Sequence, residues 1–492
     1  MSRLERIVEQ RLEKLEKLRS QGINPYPNRY HRTHNAQEAS ALFIKYEQEP
    51  EFLSNLELSL AGRITASRFM GKIAFMDVRD GSGKMQIFLT RDLFSDEKYQ
   101  LLHDLDIGDI IGAVGKLFRT KTGEITLQAT DITLLSKSLH PLPEKWHGLA
   151  DVEKRYRQRY LDLLANEETR PVFMRRSQII TALRCFLNKQ GFIEVETPVL
   201  QPMAGGALAR PFITHHHTLD QDLYLRIALE LYLKRLIVGG FDKVYEVGRV
   251  FRNEGISIKH NPEFTMMECY QAYADYIDMM KLVEEMVCFI VTEIAGGTEV
   301  SFGSDVIKLK TPWRRLTLRE AIITFGNVDF EAYTDTESLR EKMRQMGIDV
   351  DPHKDRGRLI DELVSTFVEP NLTQPTFLID YPVEMSPLAK MKPGTANVVE
   401  RFEAFIGGME IANSFTELND PLEQEKRFHH QLEGRTSIDD IEEVIDDDFL
   451  LALEYGMPPT GGLGVGIDRL VMLMTDKQSI REVILFPQLK GK

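Results

Sequence analysis

Strand-like runs recur around residues 243–273, 376–383, 402–419 and 461–467, and the first of these is two runs joined by a single loop. Strands that follow one another so closely pair antiparallel, because a parallel partner needs a crossover of a dozen or more residues. The C-terminal two thirds of the chain is therefore expected to build an antiparallel sheet flanked by helices rather than a parallel one. Within the first pair, "VFRNEGISIKHNPEFTMMECY" (250–270) sets Arg252, Glu254, His260, Glu263 and Glu268 among Phe, Met and Tyr. Charges of both signs beside an aromatic surface suit a ligand that is flat at one end and ionic at the other.

A chain of 492 residues exceeds one core, so two or more domains are expected. No apolar run reaches the ~20 residues of a membrane span. The opening "MSRLERIVEQRLEKLEKL" is a charged amphipathic helix without a secretory core, which makes the cytoplasm the expected location. Cys185, Cys269 and Cys288 form no CxxC pair, and they read as buried thiols rather than a disulfide framework or zinc site. A net charge of −14 opposes indiscriminate nucleic-acid binding, so any nucleic acid must meet a local basic patch.

The first helix should place Leu4, Ile7, Leu12, Leu15 and Leu18 on one side and end at "GINPYP". From 57 to 135 about five short alternating runs follow, with hairpin signals at Asp80–Gly83 and Lys121–Gly123 and one helical insertion, "DEKYQLLHDL". This pattern fits a small OB-type barrel. Phe75 and Gln86 sit there among Arg63, Arg68, Lys72, Arg79 and Lys84, either as a stacking platform for single-stranded bases or with Phe75 simply in the core. The organisation read from the sequence is α+β, with a helix and OB-fold domain over 1–140, a basic linker over 141–165 carrying Lys154, Arg155, Arg157 and Arg159, and a larger domain over 166–492.

Period two puts Phe264, Met266, Glu268 and Tyr270 on one face of a strand, with Arg252 and Glu254 at the end of its neighbour. A base would stack on Phe264 and a phosphate would meet Arg252. In "ERFEAFIGGMEIANSFTELND" a tight turn at Gly407–Gly408 makes Glu403 and Glu410 diagonal neighbours on one face, with Asn413, Phe415 and Glu417 at alternate positions further on. Two such carboxylates repel unless a cation lies between them, and Mg2+ carried by phosphate is the natural candidate; a pair of surface glutamates is the plain alternative. "PTGGLGVGIDRLVMLMT" lacks the early βαβ unit of a dinucleotide fold, so Gly462, Gly464 and Gly466 are read as allowing close approach to a flat strand, with Arg469 reaching a phosphate.

"GFIEVETPVLQP" (191–202), "FRNEG…HNPEFTMME" (251–268) and "GGLGVGIDRLVML" (461–473) resemble motifs 1, 2 and 3 of class II aminoacyl-tRNA synthetases, in order. The stretches between them resemble the bacterial-type lysyl-tRNA synthetases, from about residue 57 to the end. The resemblance implies activation of L-lysine with ATP and Mg2+ to an adenylate, transfer to tRNA(Lys), and a homodimer built through the helix at 173–190 and the strand "FIEVETP". It implies catalytic roles for Arg252 and Arg469. ATP would be bound by Arg252, Glu254, His260, Asn261, Phe264, Gly464 and Arg469, with Glu403 and Glu410 as the metal ligands. Lysine would be held by Gly206 and Glu230 at its α-amino group, by Arg252 at its carboxylate, and by Glu268, Tyr270, Asn413 and Glu417 around its side chain. On the barrel, Phe75 and Gln86, with Arg68 and Glu124 as additions, match anticodon contacts.

Two positions depart from the family pattern: Leu229 stands where proline is common, and Ser414 where glycine is usual. The first is expected to loosen the loop carrying Glu230, and the second to add a hydroxyl near the lysine pocket. His215–His217 lacks companion ligands at metal spacing. An aspartyl- or asparaginyl-type synthetase would want a cationic or amide pocket rather than three glutamates. A protein-modifying lysyl-transferase resembles the catalytic half alone, and a non-catalytic binding module would be expected to lose Arg252, Arg469 or the Glu403/Glu410 pair.

Overall fold

The computed structural model describes residues 2–143, 149–207, 209–433 and 445–491. The chain divides into two compact units, Met1–Ala150 and Asp151–Lys492. Residues 144–148 of the expected linker lie outside the described residues. Its remainder from 151 onward folds into the second unit as two short helices, α3 (Val152–Arg157) and α4 (Arg159–Ala165). There the basic residues are largely used internally. Arg159 is buried, paired with Asp162 at 2.6 Å and donating to the carbonyls of Arg481 and Leu485, while Arg155 also meets Asp162.

The first unit opens with α1 (Arg3–Ser20), started by a Ser2–Glu5 capping box. Only part of the expected apolar stripe is covered: Leu15 and Leu18 are buried, while Leu4 and Leu12 are exposed. Arg11 is buried instead, its guanidinium donating to the carbonyls of Ile107, Ser138 and His140. Five strands, β1 (Leu58–Met70), β2 (Ile73–Arg79), β3 (Lys84–Thr90), β4 (Ile110–Arg119) and β5 (Ile125–Ser136), close a barrel in the order β1-β2-β3-β5-β4, with α2 (Asp96–Asp104) inserted after β3. Closure removes exposed sheet edges. The inward residues, among them Ile64, Met76, Ile87 and Leu127, make one core.

In the second unit an eight-stranded sheet runs in the order β9-β10-β11-β12-β13-β8-β7-β6. Its strands are β6 (Ile193–Glu194), β7 (Lys243–Phe251), β8 (Glu263–Ala272), β9 (Arg314–Thr317), β10 (Thr376–Pro382), β11 (Val398–Ile406), β12 (Met409–Thr416) and β13 (Thr460–Gly466). The six from β10 to β7 are antiparallel, as expected; only the outermost pairs, β6 with β7 and β9 with β10, are parallel. One face packs on α5 (Thr169–Lys189) and α7 (Tyr276–Ala295) through Met267, Cys269, Phe402, Ala404, Leu463 and Val465. The opposite face carries the polar residues. At one end of that face lies α6 (Glu230–Val238), and α9 (Ile467–Met474) continues from β13 after α8 (Asp447–Glu454). A helical insertion between β9 and β10 has its own core, built on Leu339, Leu359 and Leu363.

The cysteine expectation needs correcting: Cys269 is buried, but Cys185 is exposed and Cys288 only half-buried. Cys185 lies on the solvent side of α5, where helical spacing rather than chemistry decides its exposure. No helix among the described residues is long and apolar enough to cross a membrane.

Candidate active site

The site is a set of rows across the polar face of the sheet. Glu268 stands opposite Gly464, Gly464 opposite Asn413, and Asn413 opposite Glu403; in the next row Tyr270, Gly462, Phe415 and Arg401 align in the same way. The glycines of β13 form the floor. A Cβ at Gly462 would lie 1.9 Å from Glu417 Oε1 and 2.5 Å from Tyr270 Cε1, so these positions keep the sheet low enough for the side chains beside them.

Strict alternation would put Glu410 and Asn413 on opposite faces. The register between β11 and β12 slips at Ala404/Phe405, where Phe405 opposes Glu410 but Ala404 opposes Ala412. This bulge turns Ile411 and Ala412 both toward the core and returns Glu410 and Asn413 to the polar face. The turn before it uses Gly407 (φ 61°) and Gly408 (φ 68°), the left-handed pair that a two-residue hairpin needs.

A cleft of about 260 Å³ opens over this face, and its lining includes Arg252, Glu254, His260, Phe264, Gly464 and Arg469. The Arg252 guanidinium lies over the Phe264 ring, 5.2 Å from its centroid, and donates to the Ile227 carbonyl at 3.3 Å. Arg469, in the first turn of α9, is aimed by the Glu410 carbonyl (2.8 Å) and carboxylate (2.9 Å). His260 bonds Ser257 at 2.9 Å; partial burial, and then the Arg469 cation, hold its imidazole below the usual range. Asn261 also borders the cleft, yet both ends of its amide are engaged, donating to the Glu263 carbonyl and accepting from the Gln488 N–H.

Glu403 and Glu410 share the face, and each has its own arginine. Glu403 accepts from Arg401 (2.5 Å) and Tyr381 (2.8 Å), and Glu410 from Arg469. Repulsion is thus relieved by guanidinium groups, which the sequence reading had left to a metal. Burial, only partly offset by Arg401 and aggravated by Glu410, still pushes Glu403 up to about 7. Two hard oxygen donors on one face, with Glu410 bordering the cleft, fit Mg2+ that arrives on phosphate.

Beyond Phe264 the face sinks into an acidic recess. Glu230, Glu268 and Glu417 are each at most 5% exposed. Glu268 accepts from the Leu229 N–H at 3.0 Å and the Tyr270 hydroxyl at 3.1 Å, and burial pushes it up to about 7. Burial likewise pushes Glu417 up to about 8. Gly206, at φ 84°, brings its backbone against Glu230, where a Cβ would lie 3.2 Å from the Glu230 Cβ. Both Glu417 oxygens and Asn413 Oδ1 are buried without a hydrogen-bond partner, Glu417 Oε2 having only an ion-pair contact.

The sequence reading missed Lys234. It is fully buried, four residues after Glu230 on α6, and its Nζ lies 2.5 Å from Glu230 Oε1 and 2.5 Å from Glu417 Oε2. Burial alone would lower it, but these two carboxylates hold it above the usual lysine value. The Glu-x-x-x-Lys spacing on a helix was the available signal. Arg401, two residues before Glu403 on the same face, was missed for lack of a pairing register.

Both family departures act differently from expectation. Leu229 is fully buried and its N–H, which a proline would lack, is spent on Glu268, so the loop is tied rather than loosened. Ser414 lies on the face opposite Asn413, and its hydroxyl donates to the Gly462 carbonyl at 2.6 Å instead of entering the recess. His215 pairs with Asp222 at 2.7 Å on an exposed hairpin, a carboxylate partner that the sequence reading overlooked.

On the barrel, Phe75 lies on the outward face, between the inward-facing Ala74 and Met76. It stands opposite Phe88 with ring centroids 5.1 Å apart, and Phe118 extends the row. Arg68 is exposed and opposite Phe75 on β1. Gln86 is on the same outward face, donating to Glu124 (3.0 Å) and accepting from Thr126 (2.9 Å).

Residues 151–490 match the model of class II tRNA synthetases of the D, K and N type, and 58–135 match the OB-fold nucleic-acid-binding, anticodon-type domain. Among curated proteins the chain is 60% identical to a lysine–tRNA ligase of Dehalococcoides mccartyi over 484 residues, 98% of this chain and 97% of the relative. It is 53% identical to that of Moorella thermoacetica, over 98% of this chain and 97% of the relative, and 53% identical to that of Roseiflexus castenholzii, over 99% of both. The chain belongs to the class II tRNA synthetase family, in its lysine–tRNA ligase branch.

Proposed function

We infer that the chain activates L-lysine with ATP, giving lysyl-adenylate and pyrophosphate, and transfers the lysyl group to the 3′-terminal adenosine of tRNA(Lys) with release of AMP. The observation that carries this reading is the buried cluster of Glu230, Glu268 and Glu417, with both Glu417 oxygens lacking hydrogen-bond partners, on the same sheet face as an aromatic and arginine-lined cleft. Phe264 and Arg469 bracket the adenine, and Arg252 binds the lysine carboxylate and the α-phosphate, keeping the attacking oxygen close to phosphorus. As that oxygen bonds to phosphorus, the bond to the departing pyrophosphate breaks. Such chemistry needs positioning and charge neutralisation rather than a protein nucleophile. Glu254, His260 and Asn261 border the triphosphate and the base. Glu403 and Glu410 would hold Mg2+, which when bound neutralises phosphate charge.

Glu230 with the Gly206 backbone takes the α-ammonium. Glu268, Tyr270, Asn413 and Glu417 take the side-chain ammonium. On the barrel, Phe75 stacks an anticodon base, with Gln86, Glu124 and Arg68 around it; the outward aromatic row supports this over core packing. Apolar exposure at Met174, Ile193, Val199, Leu200 and Ile213 supports a homodimer through the motif 1 surface. Three cysteines without a disulfide support a cytoplasmic location. ATP–pyrophosphate exchange run with each standard amino acid tests the reading: lysine alone is expected to support exchange, and exchange with aspartate or asparagine instead would overturn it.

A further inference from the structure

The Lys234 ammonium lies wholly inside the acidic recess, on a helix that brings no other charge there except Glu230. Its neighbours are Glu230 on its own helix, Glu417 after β12 and the Phe449 ring of α8 at 5.9 Å, while Glu268 and Tyr270 on β8 act on Glu417 and Glu230 in the same recess. Arg252 follows the last residue of β7, and its charge reaches Glu268. Arg235, next along the helix, is spent outside on Asp446 and Asp448.

Three carboxylates face a substrate with only two ammonium groups, while Arg252 matches the single substrate carboxylate. One buried anion would be left over, and an unpaired buried charge is strongly unfavourable. We propose that Lys234 is a positioning residue that supplies the third cation, so that the recess and bound lysine sum to zero charge and Glu417 keeps one oxygen free for the substrate ammonium. The Lys234 ammonium lies 2.5 Å from Glu417 Oε2, while Oε1 sits over the Gly462 floor without a hydrogen-bond partner. This inference rests on the lysine-pocket reading above and assigns to that pocket a resident counter-charge.

The consequence is a shift in proton competition. Without Lys234 the carboxylates bind protons more tightly, and lysine, itself a cation, must displace them. In Lys234→Met, which nearly preserves side-chain length, the KM for lysine in ATP–pyrophosphate exchange should rise about ten-fold at neutral pH. It should fall again as pH rises, and the midpoint of that fall should lie about one pH unit more alkaline than in the wild type. The KM for ATP should change less than about two-fold, since Lys234 does not line the nucleotide cleft.

A purely structural role would raise KM by the same factor at every pH, and parallel KM–pH profiles would overturn the proposal. Should Lys234→Met fail to fold at pH 8, folding restored at pH 5.5, where the carboxylates take up protons, supports the counter-charge; failure at both pH values overturns it. Wild-type enzyme lacking lysine-dependent exchange would instead sink the pocket reading itself.

Discussion

Glu417→Gln removes one negative charge and little volume from the centre of the recess. Taking away one partner of a buried ion pair costs about 3–5 kcal/mol. The wild-type carboxylate does not deliver all of this at pH 7, because its pKa of about 8 means that lysine must first expel a proton. That expulsion costs about 1.4 kcal/mol for each unit between pKa and pH. The net loss is about 2–4 kcal/mol, or a fall of about 30- to 1,000-fold in kcat/KM for lysine. Lysine-dependent ATP–pyrophosphate exchange reads this directly. A variant within about three-fold of wild type would refute the placement of the substrate ammonium at Glu417.

Stability must be measured beside activity, because the same substitution should not damage the fold. Burial raises the folded-state pKa of Glu417 from the usual glutamate value of 4.5 to about 8, so between these values the folded chain binds more protons than the unfolded one. Its contribution therefore makes stability fall as pH rises through that window. Glutamine resembles the protonated acid and removes the slope. The variant's melting temperature at pH 8 should equal or exceed that of wild type while its activity is lost. A lower melting temperature at every pH from 6 to 9 would mean that the lost activity reports misfolding and not recognition.

Leu229→Pro deletes the N–H that Glu268 accepts, so the Glu268 pKa should climb further above about 7 and the KM for lysine at pH 7 should rise a few-fold, recovering by pH 8.5; a pH-independent change would contradict this. Phe75→Ala should raise the KM for tRNA(Lys) in aminoacylation by about 5- to 150-fold, the worth of one stacked base, while leaving lysine-dependent exchange untouched. An equal loss in both assays would point to the barrel's folding instead. Glu410→Gln should move the Mg2+ midpoint of exchange upward by about ten-fold. An unchanged midpoint would assign Glu410 only to aiming Arg469.

The face of β8 was legible because its alternation is unbroken: Phe264, Met266, Glu268 and Tyr270 follow period two, and the structure keeps them together. The hairpin at Gly407–Gly408 was equally legible, since two adjacent glycines between strand patterns admit few alternatives. What followed was not. Nothing local in "MEIANSF" announces a bulge, whose position depends on how β11 and β12 meet the core, so the shared face of Glu410 and Asn413 emerges only from tertiary packing.

Lys234 escaped for a different reason. On α6, "ELYLKRLIV" reads as an amphipathic helix whose lysine belongs on the wet side. Its burial is decided by Glu417, more than 180 residues away in sequence, and by a glycine floor that leaves room for the Glu417 carboxylate. A carboxylate cluster that binds a cationic substrate is unstable when empty, and a fixed internal cation relieves it without occupying the substrate's own place. With Lys234 as the proposed counter-charge, positive charge sits within a site for a positively charged side chain, and a reading that collects only residues complementary to the ligand passes over the one that resembles it.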